Sequence, residues 1–386
     1  MNNAEKDSFA SSHPVEVRPV HSRADMLAFI NLPWTIYAND PHWVPPLKLE
    51  RRLHFSRLNP YFKNATWQAW LAYRNGIPVG RICAQIDQIH RQFHGGHAGH
   101  FGLLEFINDP VVIAALTSAG ETWLSDRGTT HISGPFSFSI NQECGVLVDG
   151  FDTPPVILMP HSKPWYGTLL EQQGYSPAMD LLAYWIETDF VPSRIMKTLV
   201  AKFDKRIQLR PLRRKHFGEE MEILRNIFND AWSDNWGFIP FSKEEFAELG
   251  TSLRLFISDD FVQIAELDGI PVAFVVALPN LNEVLSQLNG KLFPLGWLRL
   301  YQGVTQKSIR TGRVPLMGVR KQYQNSTLGL TLALMVCNAA CDAARESGIK
   351  AVEMSWILEN NKGMRSILDN IGSKEYKRYR IYEKNL

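Results

Sequence analysis

The pattern of apolar and polar residues along this chain occurs twice. "WQAWLAYRNGIPVGRICAQID" (67–87) and "FVQIAELDGIPVAFVVALPN" (261–280) each read as two apolar-rich strands broken by one tight turn. The turns carry Asn75-Gly76 and Asp268-Gly269, dipeptides that accept the positive φ a hairpin needs, and Ile-Pro-Val follows both. Helix-like segments follow at 110–128 and 328–348; both end in glycine and lead into an apolar run. Each half then closes on a helix, a glycine stop and a strand, at 165–187 and 361–384, with Gly174 and Gly372 at the left-handed position after the helix. The order hairpin, helix, strand, helix, strand therefore predicts a duplicated α/β unit with a mixed sheet. The expected division is a disordered polar tail (1–14), a first copy (15–187), a connector (188–206) and a second copy (207–386).

Length agrees, since 386 residues suit two domains of about 150–200 residues each. Hydrophobic residues make up 45% and charged residues 21%, enough for an ample core. Forty-one Lys and Arg stand against 39 Asp and Glu, and a balance of +2 excludes nucleic-acid binding by bulk charge. The cysteines, Cys83, Cys144, Cys337 and Cys341, form no C-x-x-C pair and fit a reducing compartment. "MNNAEKDSFASSHPVEV" lacks the apolar stretch of a signal peptide, and no window reaches the about 18 uninterrupted apolar residues of a membrane span. The expectation is a cytoplasmic protein, with peripheral contact to the inner membrane face left open.

Chemistry enters at "RVPLMGVRKQYQNSTLG" (313–329), where an apolar strand runs through a polar turn into a helix. Backbone N–H groups at a helix start, with the helix dipole behind them, can hold phosphate. Ser326 and Thr327 have two readings there, as caps of the helix or as hydroxyl donors to a phosphate.

Residues 207–386 resemble the GNAT superfamily of acyl-CoA-dependent N-acyltransferases. That family's pyrophosphate motif, Q/R-x-x-G-x-G/A, fits Gln324, Asn325, Ser326, Thr327, Leu328 and Gly329, except that Thr327 replaces the first glycine. "AVEMSWILENNKGMRSILDNIG" resembles the family's fifth strand and fourth helix, with Asn361 at the usual strand-end asparagine, and "YKRYRIYEK" resembles its closing strands. The whole chain, through "WVPPLKLERR", "GRICAQID", "SGPFSFSINQECGVLVDGFDTPP" and "NDAWSDNWGFIPFSKEEF", resembles a bacterial tandem GNAT-like family that includes proposed ceramide synthases. The resemblance implies acyl-CoA as co-substrate, with no permanently bound cofactor. Arg320 and Lys321 would add charge for the outer phosphates, and Met317, Gly318 and Val319 would offer backbone to the pantetheine arm. Val319 is the candidate donor to the thioester oxyanion.

The proton-transfer group departs from the pattern. The family's usual tyrosine position in the fourth helix is Leu368 here. Tyr323 beside the turn and Glu353 on an apolar strand are candidate substitutes, although alternation along the strand leaves Glu353 either inward or solvent-facing. Tyr376, Tyr379 and Tyr382 have packing as their ordinary reading. For the acceptor, Asn229, Trp232, Asn235 and Trp236 lie in the loop that covers that site in the family, and aromatic core is the competing reading. Asn282 opens an insertion, 279–303, read either as packed on the body or as an interfacial lid.

In the first half "GLLEFINDPVV" stands where the motif would be, and Glu105 and Asp109 oppose phosphate, so this copy is expected to lack CoA. Asn141, Glu143 and Cys144 are candidate acceptor contacts. "HRQFHGGHAGHFG" (90–102) reads as a glycine-rich mobile loop, and no metal is expected. The leading expectation is an enzyme acylating a primary amine, with a sphingoid base giving a (dihydro)ceramide as the acceptor the resemblance implies. A peptide or aminoacyl N-acyltransferase of cell-wall type, and a non-catalytic acyl-CoA sensor, stand as alternatives.

Overall fold

A computed structural model describes residues 13–189, 194–203, 206–254 and 256–386. Most of the expected N-terminal tail, and 190–193 and 204–205 of the connector, lie outside the described residues.

In chain order the elements are β1 (Glu16–Pro19), α1 (Arg23–Ile36), α2 (Lys48–His54), β2 (Ala65–Arg74), β3 (Ile77–Asp87), α3 (Gln88–His94) and β4 (Ala98–Phe106). They continue with α4 (Pro110–Ser125), β5 (His131–Gly134), β6 (Val146–Asp149), α5 (Tyr166–Gln172), β7 (Ser176–Glu187), α6 (Arg194–Phe203) and β8 (Ile207–Pro211). Then come α7 (Phe217–Ala231), α8 (Lys243–Leu253), β9 (Val262–Leu267), β10 (Ile270–Pro279), α9 (Asn282–Leu285) and α10 (Gly296–Thr305). The last are β11 (Thr311–Val319), α11 (Thr327–Glu346), β12 (Ala351–Leu358), α12 (Lys362–Asn370) and β13 (Lys374–Asn385).

The chain divides into two compact units, one running to Asp180 and taking back Tyr379–Leu386, the other spanning Leu181–Arg378. In the first, β1 to β4 pair antiparallel in sequence order, β4 pairs parallel with β5, and the end of β13 pairs antiparallel with β5 (Tyr382 opposite Gly134). In the second, β8, β9, β10 and β11 pair antiparallel, β11 pairs parallel with β12, and Leu181–Glu187 of β7 pairs antiparallel with β12. Each unit thus has a mixed sheet with one parallel step, and a helix, α4 or α11, connects the two parallel strands. The unit that holds most of the first copy closes with the last strand of the chain.

Both hairpin turns form as the dipeptides require: Asn75 and Gly76 have φ of 52° and 76°, Asp268 and Gly269 51° and 83°. The histidine-rich segment is not a mobile loop. His90 and His94 sit on α3, and His100 is buried in β4 with its ring against His90. Asp87 caps α3 by accepting from the N–H groups of Ile89 and His90, which closes a short helix where the glycines suggested none. Among the described residues no group of three His, Cys, Asp or Glu is placed to hold a metal ion.

In the second unit the core joins Ala273, Val275 and Ala277 of β10 and Val352 of β12 to Leu332, Met335, Val336 and Ala340 of α11. Among the described residues α11 is the one helix long and apolar enough to cross a membrane, and more than half of that stretch is buried against this sheet. The insertion at 279–303 folds into α9 and the start of α10.

Candidate active site

The turn before α11 is held from inside. Asn325 takes a positive φ of 58°, which bends the chain, and Ser326 caps α11, its hydroxyl accepting from the Gly329 N–H (3.0 Å) and donating to the Tyr323 carbonyl (2.6 Å). A Cβ at Gly329 would lie 2.9 Å from the Tyr323 carbonyl carbon, so this position admits only glycine without moving the backbone. Gln324 donates from Nε2 to the carbonyls of Ala231 and Val319, both at 2.9 Å, tying the turn to α7 and β11. Of the two readings of Ser326 the structure shows the helix cap, and the Gln324 side chain is likewise engaged within the loop. What the turn offers outward is the backbone of the first turn of α11 at Thr327 and Leu328.

Its charged residues are also engaged. Arg320 donates from Nε to the Pro271 carbonyl (3.1 Å), and Lys321 pairs with Asp234 at 2.5 Å on the exposed surface. Tyr323 packs its ring on the core of this unit alongside Leu328.

Pairing between β11 and β12 covers Thr311 to Val314 opposite Ala351 to Met354 and then stops. β11 runs on to Val319 and β12 to Leu358, and the register between β12 and β7 shifts between Met354 and Ile357. The two parallel strands splay beyond that point. The splay opens at the strand ends, where α11 and α12 begin. Asn361 caps α12, its side chain accepting from the Met364 N–H (3.1 Å).

Trp232, at the end of α7, bridges the splayed strands. Its indole N–H donates to the Met317 carbonyl on β11 (2.7 Å), and its ring meets Trp356 of β12 edge-on at 5.7 Å. At the end of the strand, the N–H of Arg320 goes to Val272 of β10 (2.8 Å). Since successive residues of a strand turn their backbone groups to opposite edges, the polar groups of Met317 and Val319 face the splay. Gly318 turns its α-carbon to Phe274, Ala231 and Ile227 instead, in space too small for a Cβ.

Beneath the last paired residues lies an apolar cavity of about 50 Å³. Val314 and Met317 of β11, Val352 and Met354 of β12, Cys337 and Cys341 of α11, and Met364 and Leu368 of α12 all line it. Leu368, at the position of the expected tyrosine, is buried there. Burial pushes the Cys337 thiol up to about 12 and the Cys341 thiol to about 11, so both stay protonated and unreactive.

Glu353 sits between the cavity residues Val352 and Met354 and therefore points to the opposite face of the sheet. It is fully buried, which removes the solvent-facing alternative. The hydroxyls of Ser355 and Tyr376 donate to its two carboxylate oxygens, and the buried Arg313, opposite it in register on β11, bonds Ser355 Oγ at 2.8 Å. Lys377 is also buried, with its ammonium over the Tyr376 ring. Burial pushes the Glu353 carboxyl above its ordinary value, against the opposing pull of Arg313, the two hydroxyls and Lys377. Arg313, Ser355 and Lys377 were not singled out from sequence. The available signal was one charged residue in each of two neighbouring apolar strands.

No family model matches the chain. It is 49% identical to Protein YghO of Escherichia coli (strain K12) over 371 residues, 96% of this chain and 95% of that protein. It is 43% identical over 375 residues, 96% of this chain and 98% of the relative, to the bacterial ceramide synthase of Caulobacter vibrioides (strain NA1000 / CB15N). The chain belongs to their family. Among solved structures, a tandem GNAT protein from the clavulanic acid biosynthesis pathway aligns over 96% of this chain and 98% of its own, with a TM-score of 0.55 at 11% identity. A GCN5-related N-acetyltransferase from Sphaerobacter thermophilus aligns over 97% of both chains, with a TM-score of 0.52 at 15% identity. At such identities the likeness establishes the fold, which is a tandem GNAT architecture. Family and fold together make the protein an acyltransferase of the GNAT kind.

Within that architecture the first unit closes both features that the second leaves open. The N-terminus of α4 is capped by Asp109, which accepts from the Val111 N–H (2.9 Å) and pairs with the buried Arg74 at 2.6 Å. Pairing between β4 and β5 ends at His100, and the segment after β5 then fills the gap. The Phe136 N–H donates to the Phe101 carbonyl (2.9 Å), and a Cβ at Gly102 would collide with the Phe136 backbone.

The remaining candidates have local partners. Asn229 exchanges two hydrogen bonds with the Phe241 backbone, at 3.1 and 3.0 Å, and so anchors the loop that holds Asn235 and Trp236. Within that loop the Asn235 N–H donates to the Trp232 carbonyl (2.8 Å). Asn282 starts α9, its N–H donating to Asn280 Oδ1 (3.3 Å). In the first unit the Asn141 N–H donates to Ser139 Oγ, Glu143 pairs with Arg51 at 3.4 Å, and Cys144 is buried.

Proposed function

We propose that the protein transfers a long-chain acyl group from acyl-CoA to a lipidic primary amine of the sphingoid-base class. The observation that carries this reading is the apolar cavity under the splay, lined by three methionines and by Leu368, which stands where a polar tyrosine is expected. Thr327 and Leu328 at the start of α11 present backbone N–H groups and the positive end of the helix dipole to the pyrophosphate. The pantetheine arm follows the free edge of β11, and the Val319 N–H meets the thioester oxygen as it gains charge. The amine attacks the thioester carbonyl, the carbon–sulfur bond breaks, and the thiolate leaves without a dedicated acid. Glu353, with its raised pKa, takes the proton the amine loses, and Tyr376 and Ser355 hold its carboxylate in place.

A cavity of about 50 Å³ holds roughly three or four water-sized groups. A long chain therefore enters by displacing Met317, Met354 and Met364, whose flexible side chains suit that movement. The relative named a bacterial ceramide synthase supports the choice of acceptor. The test is release of CoA thiol by the purified protein from acetyl-CoA and palmitoyl-CoA, with sphinganine or a short alkylamine as acceptor. Turnover restricted to palmitoyl-CoA with sphinganine is expected. Equal turnover of acetyl-CoA, or preference for the short amine, overturns the lipid assignment.

A further inference from the structure

A second apolar surface lies away from the cavity. Within nine residues, Phe293, Leu295, Trp297, Leu298 and Tyr301 are all exposed, three of them by more than 60%. Single exposed apolar residues are ordinary, but a cluster of this size marks a contact surface.

The segment that carries them is firmly seated from below. Leu288 and Leu300 are buried, and a Cβ at Gly303 would lie 2.6 Å from a Val284 methyl. One at Gly296 would strike the Lys291 carbonyl. Glu283 accepts from the N–H groups of Arg310 (2.9 Å) and Thr311 (2.8 Å), which pins the return of the chain to the sheet. The apolar face is therefore the outer side of a built platform.

Charge identifies what covers it. Between Val284 and Arg310 the charged residues are Lys291, Arg299, Lys307 and Arg310, all exposed, and no Asp or Glu follows until Asp342. Trp297 and Tyr301 suit the headgroup level of a bilayer, Phe293 and Leu295 the layer below it, and the cations suit anionic lipid. We propose that the α9–α10 platform docks the protein onto an anionic lipid surface through Phe293, Leu295, Trp297 and Tyr301, with Lys291 and Arg299 on the headgroups. Docking stands apart from the reaction assigned above, because it is read without turnover.

The experiment is co-sedimentation of the full chain with vesicles of phosphatidylcholine alone or mixed with phosphatidylglycerol, together with sedimentation equilibrium in the absence of lipid. Binding to the mixed vesicles should exceed binding to neutral ones by about tenfold or more. Phe293→Ser with Trp297→Ser and Tyr301→Ser should remove binding to both. Lys291→Glu with Arg299→Glu, which changes only exposed side chains, should remove the preference for anionic vesicles even if the apolar variant misfolds. Failure of the wild-type protein to bind mixed vesicles overturns the proposal, as does unchanged preference in the charge variant. A dimer that the apolar variant dissociates would assign the face to a second copy instead.

Discussion

Gly329→Ala is the sharpest probe of the turn before α11. The added Cβ would close a carbon–carbon contact to 2.9 Å. Favourable carbon–carbon separations begin at about 3.5 Å and the Tyr323 carbonyl oxygen lies nearer still, so the backbone at Tyr323 or Gly329 must retreat by more than ~0.6 Å. Two hydrogen bonds depend on that spacing, from the Gly329 N–H to Ser326 Oγ at 3.0 Å and from Ser326 Oγ to the Tyr323 carbonyl at 2.6 Å. Stretching the first by ~0.6 Å takes it out of hydrogen-bond range. Loss of a cap costs about 1 kcal/mol, and a second weakened hydrogen bond adds up to about another 1 kcal/mol.

The variant should therefore lose about 2 kcal/mol of stability, read by urea unfolding. If the cost falls on the phosphate-binding conformation, CoA affinity drops about thirtyfold by titration calorimetry. Ser326→Ala is the control. It removes the cap but leaves the close approach intact, so it should lose about 1 kcal/mol with a smaller change in affinity. Unchanged CoA binding by a destabilised Gly329→Ala protein would refute the placement of the phosphate at this helix start.

Three further outcomes follow from the same geometry. Leu368→Tyr fills the cavity and should shift kcat/KM from palmitoyl-CoA toward acetyl-CoA by about tenfold or more, as methylene-scale discrimination allows; an unchanged chain-length profile removes the cavity from the acyl path. Glu353→Gln should lower turnover by about 10²–10⁴-fold and abolish the acidic limb of the pH–rate profile. That limb should lie above the ordinary carboxylate range in the wild-type protein, because burial raises the Glu353 carboxyl. The sign for stability is opposite to that of a salt-bridged acid: the contribution of Glu353 is fully present at low pH and is lost as pH rises through its folded-state value, so the variant should unfold with a flatter pH dependence. Trp232→Phe leaves the Met317 carbonyl without its indole donor and should cost about 1–3 kcal/mol in thermal or urea unfolding.

The parts of this fold that sequence revealed are those set by neighbouring residues. Asn75-Gly76 and Asp268-Gly269 specify their turns because their backbone preferences are intrinsic, and Gly174 and Gly372 take the positive φ expected after a helix. Features set across strands were less legible. Glu353 reads equally well as inward or outward along its own strand. Its burial depends on Arg313 in the parallel neighbour and on Tyr376 and Lys377 some twenty residues further along. The loop residues show the same limit from the other side. A motif match places Gln324, Ser326 and Asn361 along the turn and the strand end, but only the structure shows that each spends its side chain on backbone groups of this chain. Glycine density misled at 90–100, since Asp87 supplied the cap that made a helix there.

The two units leave the same topology open to different degrees at a helix start. Both place a helix start beside a pair of parallel strands that part after three or four residues of pairing. A helix N-terminus attracts negative charge whatever its source. In the first unit that charge is internal, since Asp109 occupies the N-terminus of α4 and its own charge is balanced by the buried Arg74. An added phosphate there would have to displace a buried ion pair, whose disruption costs about 3–5 kcal/mol. The adjacent gap between strands is also filled, by backbone around Phe136. In the second unit the cap is the neutral Ser326, and a single indole crosses the gap. The difference between a closed unit and an open one thus lies in the charge of one capping residue and in whether backbone or a side chain fills the splay. A side chain can swing aside for a pantetheine arm, and a hydrogen-bonded strand segment cannot do so without breaking its sheet.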